Sequence, residues 1–182
     1  FTGVRIGSLD ELPSARAVLL DLTPRSFVAL AGGRLSGRAA RGFARFSYGN
    51  AVSKVDFALD GPVPWANAEL AQAGTVHLGG TRAAIVASER AVRAGHLPES
   101  PYVLVTQPSI LDASRAPVGK QVLWAYTHVP PGSSADRTGA IVAQLERFAP
   151  GFRDRVLASV SSTALQVESH NANYVGGDIG SG

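Results

Sequence analysis

Apolar and polar positions alternate most strictly along one stretch of the chain, Gln121–Val129 (QVLWAYTHV). A period of two marks a β-strand, and β-branched and aromatic residues suit a pleated, half-buried surface. One face carries Val122, Trp124, Tyr126 and His128; the other carries Leu123, Ala125, Thr127 and Val129. The second face is small and apolar, suited to packing under helices. The first is large, aromatic and polar-tipped, and two readings fit it. Its side chains are core residues whose polar tips find partners, or they form the wall of a ligand pocket. Gly119 precedes the strand and Pro130-Pro131-Gly132 stops it.

The same patterning places the other elements. Residues 2–13 read as a short strand, a turn and a loop, and the apolar run at 17–22 (AVLLDL) predicts a strand buried on both faces. Thr23 caps a helix over Pro24–Ala31 that Gly32-Gly33 ends, and a second short helix covers 37–46. Residues 52–59 set Val55, Phe57 and Leu59 against Lys54, Asp56 and Ala58, as a half-buried antiparallel strand does. A short helix at 67–73 and a strand over Thr75–Leu78 follow. Thr81 then caps a helix over 82–94 carrying a Glu89–Arg93 pair at i, i+4. A strand at 102–107 and a loop at 109–118 lead into the central strand. Beyond it, residues 133–136 offer caps for a helix to Phe148 with Ile141, Leu145 and Phe148 inward. A helix at 152–159, a strand at 163–168 and a glycine-rich tail complete the order. Strict βα alternation is absent, so the expected class is α+β, an antiparallel or mixed β-sheet with helices packed on one face.

Composition narrows the function. With 45% hydrophobic and 17% charged residues, the 182-residue chain is core-forming, one domain or one and part of another. No apolar run approaches the length of a bilayer span, and no signal peptide opens the chain. Cysteine is absent, which excludes disulfides, thiolate metal sites and a cysteine nucleophile, and fits a cytoplasmic protein. The net charge of +3 is mild. Arg34, Arg38, Arg41 and Arg45 recur at helical spacing, but no recognition motif accompanies them. They read as a solvated helix face, and nucleic acid is not an expected partner. His77, His96, His128 and His170 lack metal-ligand spacing, so no metal is expected. Asp56 and Asp60 share a strand face in a structural role. No complete G-x-G-x-x-G, P-loop, G-x-S-x-G or H-E-x-x-H occurs, and no residue stands out as a catalytic acid, base or nucleophile. The chain lacks methionine, opens mid-element and closes on GGDIGSG, as a piece of a longer protein would.

That tail, NYVGGDIGSG (173–182), carries the most chemical information. Glycines around an aspartate let backbone approach a ligand closely, and the carboxylate accepts hydrogen bonds from sugar hydroxyls. Nucleotide-type cofactors ask for this; an exposed glycine tail has the same spacing.

A resemblance covers nearly the whole chain. Residues 45–65 (RFSYGNAVSKVDFALDGPVPW), 74–81 (GTVHLGGT), 103–133 (VLVTQPSILDASRAPVGKQVLWAYTHVPPGS), 146–157 (ERFAPGFRDRVL) and 171–182 (NANYVGGDIGSG) carry it. They resemble actinobacterial-type FAD-dependent oxidoreductases of the phytoene desaturase-like family. The resemblance implies that residues 1–24 are the edge of an FAD-binding domain, 25–168 the substrate-binding domain, and 169–182 the return segment to the FAD-binding domain. It places Gly176, Gly177, Asp178 and Gly180 at the FAD-contacting turn, with Asp178 bonding the ribityl or pyrophosphate region. It also implies a small apolar substrate and leaves peripheral membrane contact open. The N-terminal dinucleotide fingerprint lies outside this chain, so the chain alone is expected to be inactive. Trp124, Tyr126 and His128 are the candidate substrate wall. The chain departs from the family pattern at Asn50-Ala51-Val52-Ser53, where Gly-Pro-Gly and a bulky residue are usual, and at Ala172, where proline is usual. A second reading is a stand-alone, non-enzymatic domain holding an apolar ligand against Trp124.

Overall fold

The computed structural model describes residues 3–180. Its strands are β1 (Ala51–Leu59), β2 (Thr75–Leu78), β3 (Val103–Thr106), β4 (Gln121–Val129) and β5 (Val156–Ser162). They form one antiparallel sheet in the order β2-β3-β4-β1-β5, with the strictly alternating stretch as its middle strand. The helices are α1 (Pro24–Ala31), α2 (Gly37–Ala44), α3 (Arg82–Arg93), α4 (Pro108–Leu111), α5 (Thr138–Phe148), α6 (Phe152–Arg155) and α7 (Ala164–His170). The fold is α+β.

Alternation along β4 sorts the two sides of the sheet. Leu123 pairs with Phe57, and Ala125 with Val55 and Val105; all are buried. Ile141 and Leu145 of α5 and Phe152 of α6 join them in the main core, together with Val63 and Trp65 from the loop after β1. The Phe152 ring stands edge-on to Phe57, 5.3 Å between centroids. Burying each such side chain contributes about 1.5–3 kcal/mol, so this face holds most of the fold together.

α5 starts where Asp136 captures its first residue. Asp136 Oδ1 accepts from the Thr138 N–H at 2.8 Å and from the Thr138 hydroxyl at 2.6 Å, while Oδ2 accepts from Ser161 of β5. Thr138, with Ser161 adding, holds this carboxyl below its ordinary value. Losing these side-chain bonds through Asp136→Ala is expected to cost about 1 kcal/mol at neutral pH. A carboxylate with a lowered folded pKa stabilises fully above its unfolded value, about 3.9, and loses that contribution as pH falls through the folded one. Urea titrations should therefore show the wild-type advantage shrinking below about pH 4. An advantage that persists at low pH contradicts this.

Several expectations need correction. Residues 17–22 belong to no strand, and Leu19 is 96% exposed. An apolar run becomes a buried strand only when neighbouring strands accept it. Residues 3–6 form no strand either; the N-terminal segment has a 3-10 turn at Leu9–Glu11 capped by Ser8. Its Thr2 lies outside the described residues. The helix expected at 152–159 is one turn, α6, after which the chain becomes strand β5. The strand expected at 163–168 is helix α7, begun by a reciprocal capping box between Thr163 and Gln166. The loop at 109–118 contains the end of α4 and a 3-10 turn at Ala113–Arg115. Of the arginine stripe, only Arg38 and Arg41 lie in α2; Arg34 precedes it and pairs with Asp10. Asp56 pairs with Lys54, and Asp60 with Lys120. Among the described residues no helix is long and apolar enough to cross a membrane.

Candidate functional site

The sheet's second face is where the candidate wall stands. Strand pairing sets Trp124 between Asp56 and Thr106, Tyr126 between Lys54 and Leu104, and His128 beside Val52. Val122, Trp124, Tyr126 and His128 are all half-buried, in contrast to the buried side chains alternating with them. The Trp124 and Tyr126 rings stack with centroids 6.2 Å apart and planes 12° from parallel. Lys54 Nζ lies 5.7 Å from the Trp124 ring centroid, a cation–π contact, and also binds Asp56 at 2.5 Å.

A cavity of ≈ 700 Å³ opens on this face. Val52, Lys54, Trp124 and Tyr126 form its sheet side. Val167 and His170 of α7 and Tyr174 and Ile179 of the tail form the other. The lining mixes apolar and aromatic side chains with the polar Lys54, Ser162, Gln166, Ser169 and His170, a combination that binds and orients small molecules.

At the upper end of the same face, His128 Nδ1 lies 2.8 Å from Glu89 Oε2 of α3. Asn50 Nδ2 donates to the same oxygen at 3.4 Å. Glu89 therefore turns onto the sheet and does not make the expected pair with Arg93. Its second oxygen, Oε1, is buried with no hydrogen-bond partner. Tyr102 lies between His77 and His128, its hydroxyl bonded to His77 Nδ1. Burial pushes the Tyr102 and Tyr126 phenols up, and the Glu89 charge adds to both, so each keeps its proton at neutral pH.

The tail folds back as a fastening. Val175–Gly177 is a 3-10 turn with Gly176 at φ 65° and Gly177 at φ 91°. Gly132 N–H donates to Gly176 O at 2.7 Å. Asp178 is 4% exposed and accepts from Gly49 N–H at 2.5 Å and Gly180 N–H at 2.8 Å. Asn173 Oδ1 accepts from Thr23 N–H at 3.1 Å, and Arg25 bonds Glu168 at 2.6 Å, holding that carboxyl below its ordinary value.

The expected cofactor residues thus divide. Gly177 and Asp178 are buried and engaged by the chain itself, Gly176 is half-buried, and Gly180 is exposed beside the exposed Ile179. Asp178 sets the turn from behind instead of presenting its carboxylate outward. Of the expected wall, Trp124 and Tyr126 line the cavity, while His128 stands next to it, between the lining residues Tyr126 and Val52. Sequence reasoning missed Glu89, Tyr102 and the α7 side. The Thr163-x-x-Gln166 capping box would have revealed α7; nothing local marks Glu89, which reaches His128 only because α3 crosses the sheet.

No protein-family model matches the chain, and no curated protein matches it.

Proposed function

We propose that the chain is the substrate-binding portion of an FAD-dependent oxidoreductase of the phytoene desaturase-like kind it resembles, acting on a small apolar substrate. One observation carries this reading. Trp124 and Tyr126, the expected substrate wall, share one cavity with Tyr174 and Ile179, which flank the expected cofactor turn. Substrate and flavin must meet for hydride or electron transfer, and these distant stretches meet here. The apolar run at 17–22, exposed from Ala17 to Asp21 and part of no strand, supports a docking edge within residues 1–24, with 25–168 as substrate domain and 169–182 as return segment. Residues 1–2 and 181–182 of those segments lie outside the described residues. FAD would rest on the backbone of the half-buried Gly176 and the exposed Ile179 and Gly180, with Gly177 and Asp178 holding the turn. The flavin supplies the redox chemistry; this chain supplies the wall and part of the cradle. The cysteine-free composition is compatible with a cytoplasmic protein.

Full-length protein carrying this chain is expected to retain flavin absorbance through gel filtration, and the chain alone to lose it. Trp124→Ala in the full-length protein should weaken apolar-substrate binding about tenfold through lost aromatic contact area. Unchanged binding would return Trp124 to a purely structural role. The engagement of Gly177 and Asp178 by the chain's own atoms favours the second reading, a non-enzymatic domain binding an apolar ligand. Colourless full-length protein that still binds the ligand would establish that reading.

A further inference from the structure

The upper end of the aromatic face makes a hydrogen-bonding demand that a wholly apolar ligand would not meet. Glu89 as a carboxylate only accepts, so the 2.8 Å contact means that His128 Nδ1 carries the hydrogen and donates it. In the neutral ring Nε2 is then an acceptor. It makes no hydrogen bond among the described residues, on a side chain that is 28% exposed. The tautomer is held from α3 at a cost, because Glu89 Oε1 is buried without a partner. Packing alone does not call for that arrangement, since an apolar side chain on α3 would cover His128 without an orphaned oxygen. His128 adjoins the cavity through both lining neighbours, Tyr126 at a ring separation of 5.9 Å and Val52 across the strand pair. The Tyr126 hydroxyl likewise makes no hydrogen bond among the described residues.

We infer that the ligand of this cavity is amphipathic: an apolar body against Trp124 and Val167, and a hydroxyl group that donates its hydrogen to His128 Nε2. Glu89 is the positioning residue that keeps Nε2 an acceptor. The inference rests on the reading of this cavity as a ligand site and deepens it by naming the polar group.

Equilibrium dialysis of the full-length protein against 1-octanol and against 1-methoxyoctane tests it. The two probes share a chain, and only the first can donate. Wild-type protein is expected to favour octanol by about three- to tenfold, the value of one hydrogen bond to an otherwise unpaired acceptor. His128→Phe keeps the ring area and removes the acceptor, so it should erase the preference. Glu89→Gln can donate to Nδ1 and let Nε2 carry the hydrogen, which either probe's oxygen can accept, so it too should erase the preference. Equal binding of both probes by wild type, or a preference that survives His128→Phe, overturns the inference and leaves the ligand site standing. A preference that survives Glu89→Gln overturns the positioning role. Failure of both probes to bind overturns the ligand site itself, and the inference with it.

Discussion

Gly177→Ala is expected to destabilise the protein by about 3 kcal/mol or more. A Cβ at this position would lie 2.6 Å from Ala164 Cβ, 2.7 Å from Ala164 Cα and 2.8 Å from its carbonyl oxygen. Two of those three atoms are backbone at the first residue of α7, so no rotamer change relieves the overlap. The backbone there also has φ 91°, a region L side chains rarely adopt. Either the turn opens or α7 moves, and both outcomes displace Tyr174, Ile179 and Val167 from the cavity. Thermal and urea unfolding should show the loss, and apolar-ligand affinity should fall with it. Gly139→Ala is the control. That glycine lies inside α5 with nothing within 4 Å of the added atom. Alanine there should stabilise by about 0.5–1 kcal/mol. Near-wild-type stability of Gly177→Ala would mean that the tail does not pack on α7 as described.

Gln107→Leu is expected to cost about 3 kcal/mol, although it substitutes an apolar side chain of similar size at a fully buried position. Gln107 is 1% exposed. Its Oε1 accepts from Trp65 Nε1–H at 3.0 Å, and its Nε2 donates to Leu70 O at 3.0 Å and Ala73 O at 2.8 Å. One amide thereby closes the loop after β1 onto the end of β3. Leucine would leave the indole N–H and the Ala73 carbonyl without those partners, each at about 1–3 kcal/mol. Leu70 O would keep its bond from Ala73 N–H. Urea denaturation of the variant measures the loss; a change below about 1 kcal/mol would show that water or a shifted loop replaces the amide.

Both residues mark where legibility in the sequence stops. Where a segment is half-buried, its own period announces it. β4 and β2 keep their expected bounds because they alternate, and α1 fills its full expected span because Pro24 opens it and Gly32 closes it, although Thr23 makes no side-chain cap bond. The two faces of β4 separate as alternation requires, which puts Trp124, Tyr126 and His128 together on the half-buried face. β5 misled because it is an edge strand with Leu157 and Val160 exposed, so no one-sided burial shaped its pattern. Phe152, Val156 and Leu157 then mimicked a helical stripe. α7 carried a local capping signal that its short length and its Leu and Val residues obscured. Gln107, Gly177 and Glu89 are different in kind. Their roles arise from partners remote in sequence, Trp65, Ala164 and His128, and no window of neighbouring residues encodes such meetings.

The proposed function sets the Trp124–Tyr126 wall beside the Gly176–Gly180 turn, and a bound flavin would report on that adjacency. Full-length oxidised protein should be titrated with an apolar ligand such as 1-octanol while the flavin absorbance bands are followed. The account expects ligand binding to shift those bands, and Trp124→Ala to move the midpoint to about tenfold higher ligand concentration. Protein that carries no flavin, or that binds ligand without disturbing the flavin bands, would contradict it.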